Sequence, residues 1–339
     1  VSGSVGKTST KEMLYAVLSQ KYKTHKTQGN LNNELGVPLT LLAMPEDTEA
    51  AVIEMGISDF GEMSRLAQMV QPTVCVLTII GCCHLENLGD RNGVLKAKTE
   101  MFKFASENAE FVLNGDDDKL STVMEVNGKK PIFFGLNRKN DYYAENIQNN
   151  ADGGVLADLC FGDTKLSVKI PAIGSYMVSN ALAAVAVGKL CGLNDEQLIK
   201  GVQAYKTVGS RANVINTEDY KIIDDCYNAN PTSVMASIDT LVNFSGRTVA
   251  ILGDMKELGT NELEMHRKTG EHAKEKGVDL VIAVGPLAKA LAEGSGGKWY
   301  ADIDSLLPDL KSLLKKGDTV LVKASHSMQF ERIVAFLKG

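Results

Sequence analysis

The sequence predicts an α/β protein of two domains, the first built on a mostly parallel sheet with an antiparallel part. Three observations carry that expectation. Apolar runs of strand length alternate with amphipathic stretches of helix length over most of the chain, the pattern of parallel sheets covered on both faces. Between 129 and 171 this gives way to short alternating runs with Asn-Asn and Gly-Gly pairs, read as antiparallel hairpins. A fresh β/α series then begins at Asn213, after a helical segment at 195–204. The boundary is therefore set between domains 1–208 and 209–339, the second an ordinary size for one α/β domain.

In chain order, helices are expected at 8–20, 61–70, 94–104, 178–190, 195–204 and 232–244. In the first, Met13, Leu14, Val17 and Leu18 share a face through their i, i+4 spacing. Strands are expected at 51–55, 74–79, 111–114, 222–225, 249–252, 280–284 and 320–322. With 339 residues, 44% hydrophobic and 23% charged, the chain has enough apolar material for sizeable cores. Its apolar runs are too short for a membrane-spanning helix. A net charge of −6 speaks against a surface that binds nucleic acid. The six cysteines make no C-x-x-C pair and no zinc spacing, which fits a reducing, cytoplasmic setting.

The chemistry begins at the first residues. Val1-Ser-Gly-Ser-Val-Gly-Lys-Thr8 places Gly3, Ser4, Gly6, Lys7, Thr8 and Ser9 where a glycine loop meets a helix. Backbone N–H groups at such a loop face an anion, the lysine reaches the β- and γ-phosphates, and the threonine hydroxyl meets Mg²⁺. The strict motif would put a glycine at position 1, where the chain has Val1. A phosphate loop also follows a strand, and only Val1 precedes this one, so the chain is expected to be an N-terminally shortened piece of something longer. A metal-bound nucleoside triphosphate needs a carboxylate from a neighbouring strand. Ala50-Ala-Val-Ile-Glu54 supplies one, an apolar run ending in an acid.

Longer stretches are more specific. They include Thr27-Gln-Gly-Asn-Leu-Asn-Asn-Glu-Leu-Gly36, His84-Leu-Glu-Asn-Leu-Gly89, Lys96-Ala-Lys-Thr-Glu100, Asp225-Cys-Tyr-Asn-Ala-Asn-Pro231, Gly253-Asp-Met-Lys-Glu-Leu-Gly259 and Lys323-Ala-Ser-His-Ser-Met328. Together, and in this order, they resemble the Mur ligase family over essentially the whole chain. The Tyr-Asn-Ala-Asn-Pro and Gly-Asp-Met-x-Glu-Leu-Gly stretches resemble the branch that adds D-alanyl-D-alanine to UDP-N-acetylmuramoyl-tripeptide in peptidoglycan synthesis. The resemblance implies a P-loop ATPase domain followed by a Rossmann-like domain, without the family's N-terminal UDP-sugar domain. It implies ATP and Mg²⁺ as cofactors, those two small molecules as substrates, no nucleic-acid or membrane partner, and a monomer. It also implies amide-bond formation through an acyl phosphate.

Residue by residue, the resemblance gives Lys7 the β/γ-phosphates and gives Thr8 and Glu54 one Mg²⁺. His84 serves a second metal, and Lys98 resembles the family lysine that carries a carbamate. Asn180 resembles the residue that contacts adenine, and Arg211 the arginine that reaches the phosphates. Asp225, Tyr227 and Asn228 resemble the C-terminal domain's contribution to the nucleotide site. Asn30 and Asn33 line a substrate-facing loop, and Lys323 and Ser325 face the dipeptide or the muramyl peptide. Ile80, Tyr176 and His326 depart from the family pattern, which bears on substrate contacts more than on ATP. Two alternatives stand beside this reading: a ligase of folylpolyglutamate-synthase type, or a catalytically silent ATP-binding fragment. Cys82 and Cys83 are read as packing residues, His266 as a solvated surface histidine, and Asp116–Asp118 as a helix N-terminus.

Overall fold

The computed structural model describes residues 1–150 and 154–339, and the chain divides into two compact units, Val1–Lys206 and Thr207–Gly339. In the first unit β1 (Thr24–Lys26) pairs in parallel with β2 (Ala50–Val52). A second sheet runs in the order β3 (Val74–Leu77), β4 (Glu110–Asn114), β5 (Ile132–Phe134), β6 (Tyr142–Asn150), β7 (Gly154–Phe161), β8 (Thr164–Ile170). Val1 and Ser2 bridge the two sheets: the Met55 N–H donates to the Val1 carbonyl, and the Ser2 N–H to the Val76 carbonyl.

The first unit's helices are α1 (Lys7–Leu18), α2 (Gly36–Leu42), α3 (Glu62–Val70), α4 (Leu85–Leu88), α5 (Arg91–Thr99), α6 (Tyr176–Leu190) and α7 (Asp195–Gln203). Strand alternation sorts them into layers. Cys75, Leu77, Phe111 and Leu113 pack with residues of α3 and α5, while Val76, Val112 and Phe134 pack with residues of α1 and α6. Helix α6 is apolar on all sides because it is buried on all sides, lying against α1, α7 and strands β4 to β8.

The hairpin region differs in part from expectation. Strands β6, β7 and β8 are antiparallel, but β5 pairs in parallel with both β4 and β6. Asn149 and Asn150 continue β6 rather than turning, and the expected Gly-Gly turn at 153–154 falls partly outside the described residues. The helix expected at 94–104 starts earlier, at Arg91, under an Asp90 cap, and tightens to a 3₁₀ turn over Glu100–Phe104.

The second unit is one six-stranded sheet. Its order is β13 (Lys298–Tyr300), β12 (Leu280–Val284), β11 (Thr248–Gly253), β14 (Thr319–Lys323), β10 (Lys221–Asp224), β9 (Asn213–Asn216), parallel except for β9. Val249, Ile251, Ile282, Val284, Val320 and Val322 face α11 (Ile303–Leu313) and α12 (Glu331–Lys338). Against the opposite face lie α8 (Pro231–Leu241) and α10 (Ala288–Ser295), with α9 (Glu262–Glu275) packed on both.

Candidate active site

In the first unit the glycine loop is set by two backbone demands. Gly6 caps α1 at φ 85°, a left-handed turn that glycine adopts without strain. A Cβ on Gly3 would stand 2.0 Å from Thr78 Oγ1, the hydroxyl that itself donates to the Val5 carbonyl at 2.5 Å. The loop is thus pressed onto the end of β3. Ser4 adds two ties, its N–H to the Ile79 carbonyl at 2.7 Å and its Oγ accepting the Gly81 N–H at 2.9 Å. Lys7 folds its ammonium back to the Gly3 carbonyl at 2.8 Å, and Ser9 follows Thr8 on the first turn of α1.

Glu54 stands two residues beyond β2, 1% exposed, with its backbone N–H held by Thr27 Oγ1 at 3.0 Å. Its Oε1 accepts the Thr8 hydroxyl at 3.0 Å and the Asn32 amide at 2.8 Å. Thr8 and Glu54, 46 positions apart in sequence, therefore meet as expected. Magnesium is a hard cation that takes a few protein oxygens and completes its shell with water and phosphate. A hydroxyl beside a buried carboxylate, with Glu54 Oε2 accepting no hydrogen bond from the described residues, fits such an ion. Among the described residues no three His, Cys, Asp or Glu side chains cluster, so the structure offers no all-protein cage for a metal.

A cleft of ≈450 Å³ opens beside this pair, lined by Lys7, Asn32, Asn33, Glu62 and His84 among others. His84 stands at the N-cap of α4 with a left-handed backbone, φ 52°. Lys98, on α5, is 1% exposed. Burial pushes its amine down to about 8, with the charge of Lys7 adding to the fall and Cys83 and Glu62 opposing it. Of the four residues expected around the metals, His84 lines the cleft, Thr8 and Glu54 meet beside Asn32, which lines it too, and Lys98 lies within electrostatic reach of Lys7. Asn30 is exposed, while Asn33 spends its Oδ1 on the N–H groups of Leu35 and Gly36 at the start of α2. Asn180 is buried under the loop, accepting the Thr10 hydroxyl at 3.1 Å and donating to Met177 Sδ.

The second unit gathers its polar residues where β10 and β14 end. Asp225 accepts the Lys323 ammonium at 2.7 Å, the Ser237 hydroxyl at 2.6 Å and the Ala212 N–H at 3.1 Å. Lys323 also donates to the Asn228 carbonyl at 3.1 Å. The Arg211 guanidinium lies 3.5 Å from the Tyr227 ring centre, and the His326 ring lies 5.6 Å from the same ring, tilted by 31°.

Lys323 and Ser325 are both buried, Lys323 bonded to Asp225 and Asn228, and Ser325 Oγ accepting the Lys256 N–H at 2.9 Å. Other expectations need correction. His266 is not solvated but 0% exposed, its Nε2 accepting the Met255 N–H at 2.9 Å and its Nδ1 2.6 Å from the Glu262 carbonyl. Ile80 is a core residue whose N–H donates to Asp117 Oδ2. Cys83 does more than pack, since its thiol lies 3.0 Å from the Ser4 hydroxyl. Asp117 does start a helical turn, accepting the N–H groups of Lys119 and Leu120. Asn32 was missed although it lies inside the motif that supplied Asn30 and Asn33; its contact with Glu54 is visible only once the chain is folded.

A glycine loop bearing Lys and Thr, opposed by a strand-end carboxylate, is the arrangement of a P-loop nucleotide site, and most of the chain matches one family. The Mur ligase middle domain matches residues 1–188, and the Mur ligase, glutamate ligase domain matches residues 210–326. The chain belongs to the Mur ligase family. It is 37% identical to the UDP-N-acetylmuramoyl-tripeptide–D-alanyl-D-alanine ligase of Bacillus subtilis (strain 168), over 98% of this chain and 74% of that protein. It is similar in structure to MurF from Acinetobacter baumannii, with a TM-score of 0.94 at 32% identity over 99% of this chain and 75% of that one. MurF from Thermotoga maritima, solved in complex with ADP, gives a TM-score of 0.89 at 32% identity, covering 100% of this chain and 78% of its own.

Proposed function

We propose that this chain performs ATP-dependent amide-bond formation, joining D-alanyl-D-alanine to UDP-N-acetylmuramoyl-tripeptide. The observation that carries the proposal is the Thr8–Glu54 contact beside Lys7, a hydroxyl, a buried carboxylate and an ammonium gathered near one helix N-terminus, which supports phosphate and metal binding there. The activity named for its relatives supplies the substrates and favours this reading over a folylpolyglutamate-type ligase. The ADP in the Thermotoga relative supports ATP as the phosphoryl donor.

In this mechanism the γ-phosphoryl group passes to the terminal carboxylate of the tripeptide, releasing ADP. The amine of D-alanyl-D-alanine attacks the carbonyl carbon of the acyl phosphate, the C–O bond to phosphate breaks, and phosphate and a proton leave. Such transfers depend on positioning and on cations around the transferred group. Lys7 exchanges the Gly3 carbonyl for the β/γ-phosphates, and the loop's N–H groups hold the remaining oxygens. Thr8 and Glu54 would hold one Mg²⁺, with His84 and Lys98 serving a second; when bound, the metal neutralises phosphate charge. Lys98 takes up CO₂ through its neutral amine and releases a proton, turning a buried cation into a carboxylate-like ligand. Arg211, stacked on Tyr227, offers a cation to an anionic group. The six free cysteines are in keeping with a cytoplasmic setting.

The test is phosphate release from ATP with UDP-N-acetylmuramoyl-tripeptide present, with and without D-alanyl-D-alanine, and with glutamate as control acceptor. Release that depends on the dipeptide supports the proposal. Release that depends on glutamate, or ATP binding without acceptor-dependent release, overturns it.

A further inference from the structure

Among the described residues, Lys11 is a buried charge that the proposed mechanism does not use. It sits on α1 one turn beyond Lys7, and its side chain is 0% exposed. Its Nζ lies 3.1 Å from Glu12 Oε1 and 3.5 Å from Glu54 Oε2. Neither approach has hydrogen-bond geometry: Lys11 Nζ and Glu54 Oε2 are both buried without a hydrogen-bond partner among the described residues. Burying an ammonium this way is costly, so a lysine kept only for structure would be expected to saturate its donors.

The neighbours show which acid Lys11 serves. Glu12 already has a cation, since its other oxygen pairs with Lys26, whose amine also lies 4.1 Å from the Tyr15 ring centre. Glu54 Oε1 is occupied by the neutral donors Thr8 and Asn32. Its Oε2 has only Lys11 as a cation within ion-pair distance among the described residues.

We propose that Lys11 is a positioning residue whose ammonium stands in for a divalent cation at Glu54. The inference rests on the reading of Glu54 as the metal carboxylate. Held by charge alone, Lys11 keeps the carboxylate aimed at Thr8 while the site is empty, and its repulsion weakens binding of the free ion. The metal then binds well only together with nucleotide phosphates, which outweigh that repulsion.

Thermal melts in EDTA and in MgCl₂, without nucleotide, test this in the wild type, Lys11→Met and Lys26→Met. Lys11→Met should melt lower in EDTA, and MgCl₂ should raise its Tm several degrees more than it raises the wild type's. Lys26→Met, which strips Glu12 instead, should lose stability with a wild-type response to MgCl₂. Should Lys11→Met not fold, Lys11→Gln keeps the length and loses the charge, with the same expectation. An equal MgCl₂ shift in wild type and Lys11 variant overturns the inference. Glu54→Gln separates the two readings. If it keeps the wild-type Mg²⁺ dependence of ADP affinity, the metal reading of Glu54 fails; if it loses that dependence while the Lys11 variant shows no extra shift, only the role of Lys11 fails.

Discussion

Lys7 keeps its ammonium on a carbonyl of its own loop, a partner that a phosphate readily outcompetes. Charge-assisted bonds of this kind contribute about 1.5–3 kcal/mol, roughly ten- to hundredfold in affinity. Lys7→Ala is therefore expected to weaken ADP binding by that factor while leaving the Tm nearly unchanged; calorimetric titration checks it, and wild-type affinity would remove the phosphate-loop assignment. Lys98 makes a pH-dependent prediction. Its amine is lowered to about 8, so the neutral form that reacts with CO₂ grows as pH rises from 7 to 9. Activity in CO₂-depleted buffer should recover on adding CO₂, faster at pH 9 than at pH 7 when dissolved CO₂ is held equal, and intact mass should show the added CO₂. Lys98→Ala should lose turnover and regain part of it with short carboxylic acids. At this scale the sequence disclosed the residues whose chemistry is local. A glycine loop with Lys-Thr announces itself, and an apolar run ending in Glu54 does nearly as well. Asn32 and Lys11 stayed hidden because their meaning depends on Glu54, which lies 22 and 43 positions further on. His266 was misjudged because exposure is decided by elements that local pattern does not contain.

Among the elements, helices were legible where apolar spacing and a cap coincide, as in α7 and α8. The direction of β5 was not. Three residues, Ile132–Phe134, carry no record of whether their neighbours run with or against them, and the antiparallel strands that follow coloured the reading. Helix α8 begins with an Asn230 capping box and Pro231 at its first turn. Asn230→Ala should cost the second unit about 1 kcal/mol and lower its Tm by a few degrees in a thermal melt. The loop 254–259 hangs on two helices, through His266 of α9 and through Asp254, which accepts the Ala288 N–H at the start of α10. Burial holds the His266 ring below its ordinary pKa, against the opposing pull of the Glu262 carbonyl and Asp254. As pH falls, the unfolded chain takes up this proton before the folded one does. The stability tied to the neutral ring is complete above about 6.5 and is lost as pH drops below it. His266→Gln, which keeps an acceptor for Met255, should flatten the acid limb of a denaturation series between pH 7 and 5; an unchanged limb would clear His266 of that role.

At the scale of the whole molecule, each unit has sheets and apolar cores of its own. Residues 207–339 expressed alone should therefore melt cooperatively; a gradual, featureless transition by circular dichroism would show that the core is insufficient. Within Val1–Lys206, the hydroxyl of Thr10 meets the amide of Asn180 across 170 positions. Closing so long a loop is slow, because its entropy must be lost before any contact compensates. On the ribosome the phosphate loop emerges well before α6, yet it waits for α6 before its supporting amide exists. ADP binding is thus a clock for the completion of this unit: a nascent chain halted before residue 180 would expose the motif and still be unable to use it.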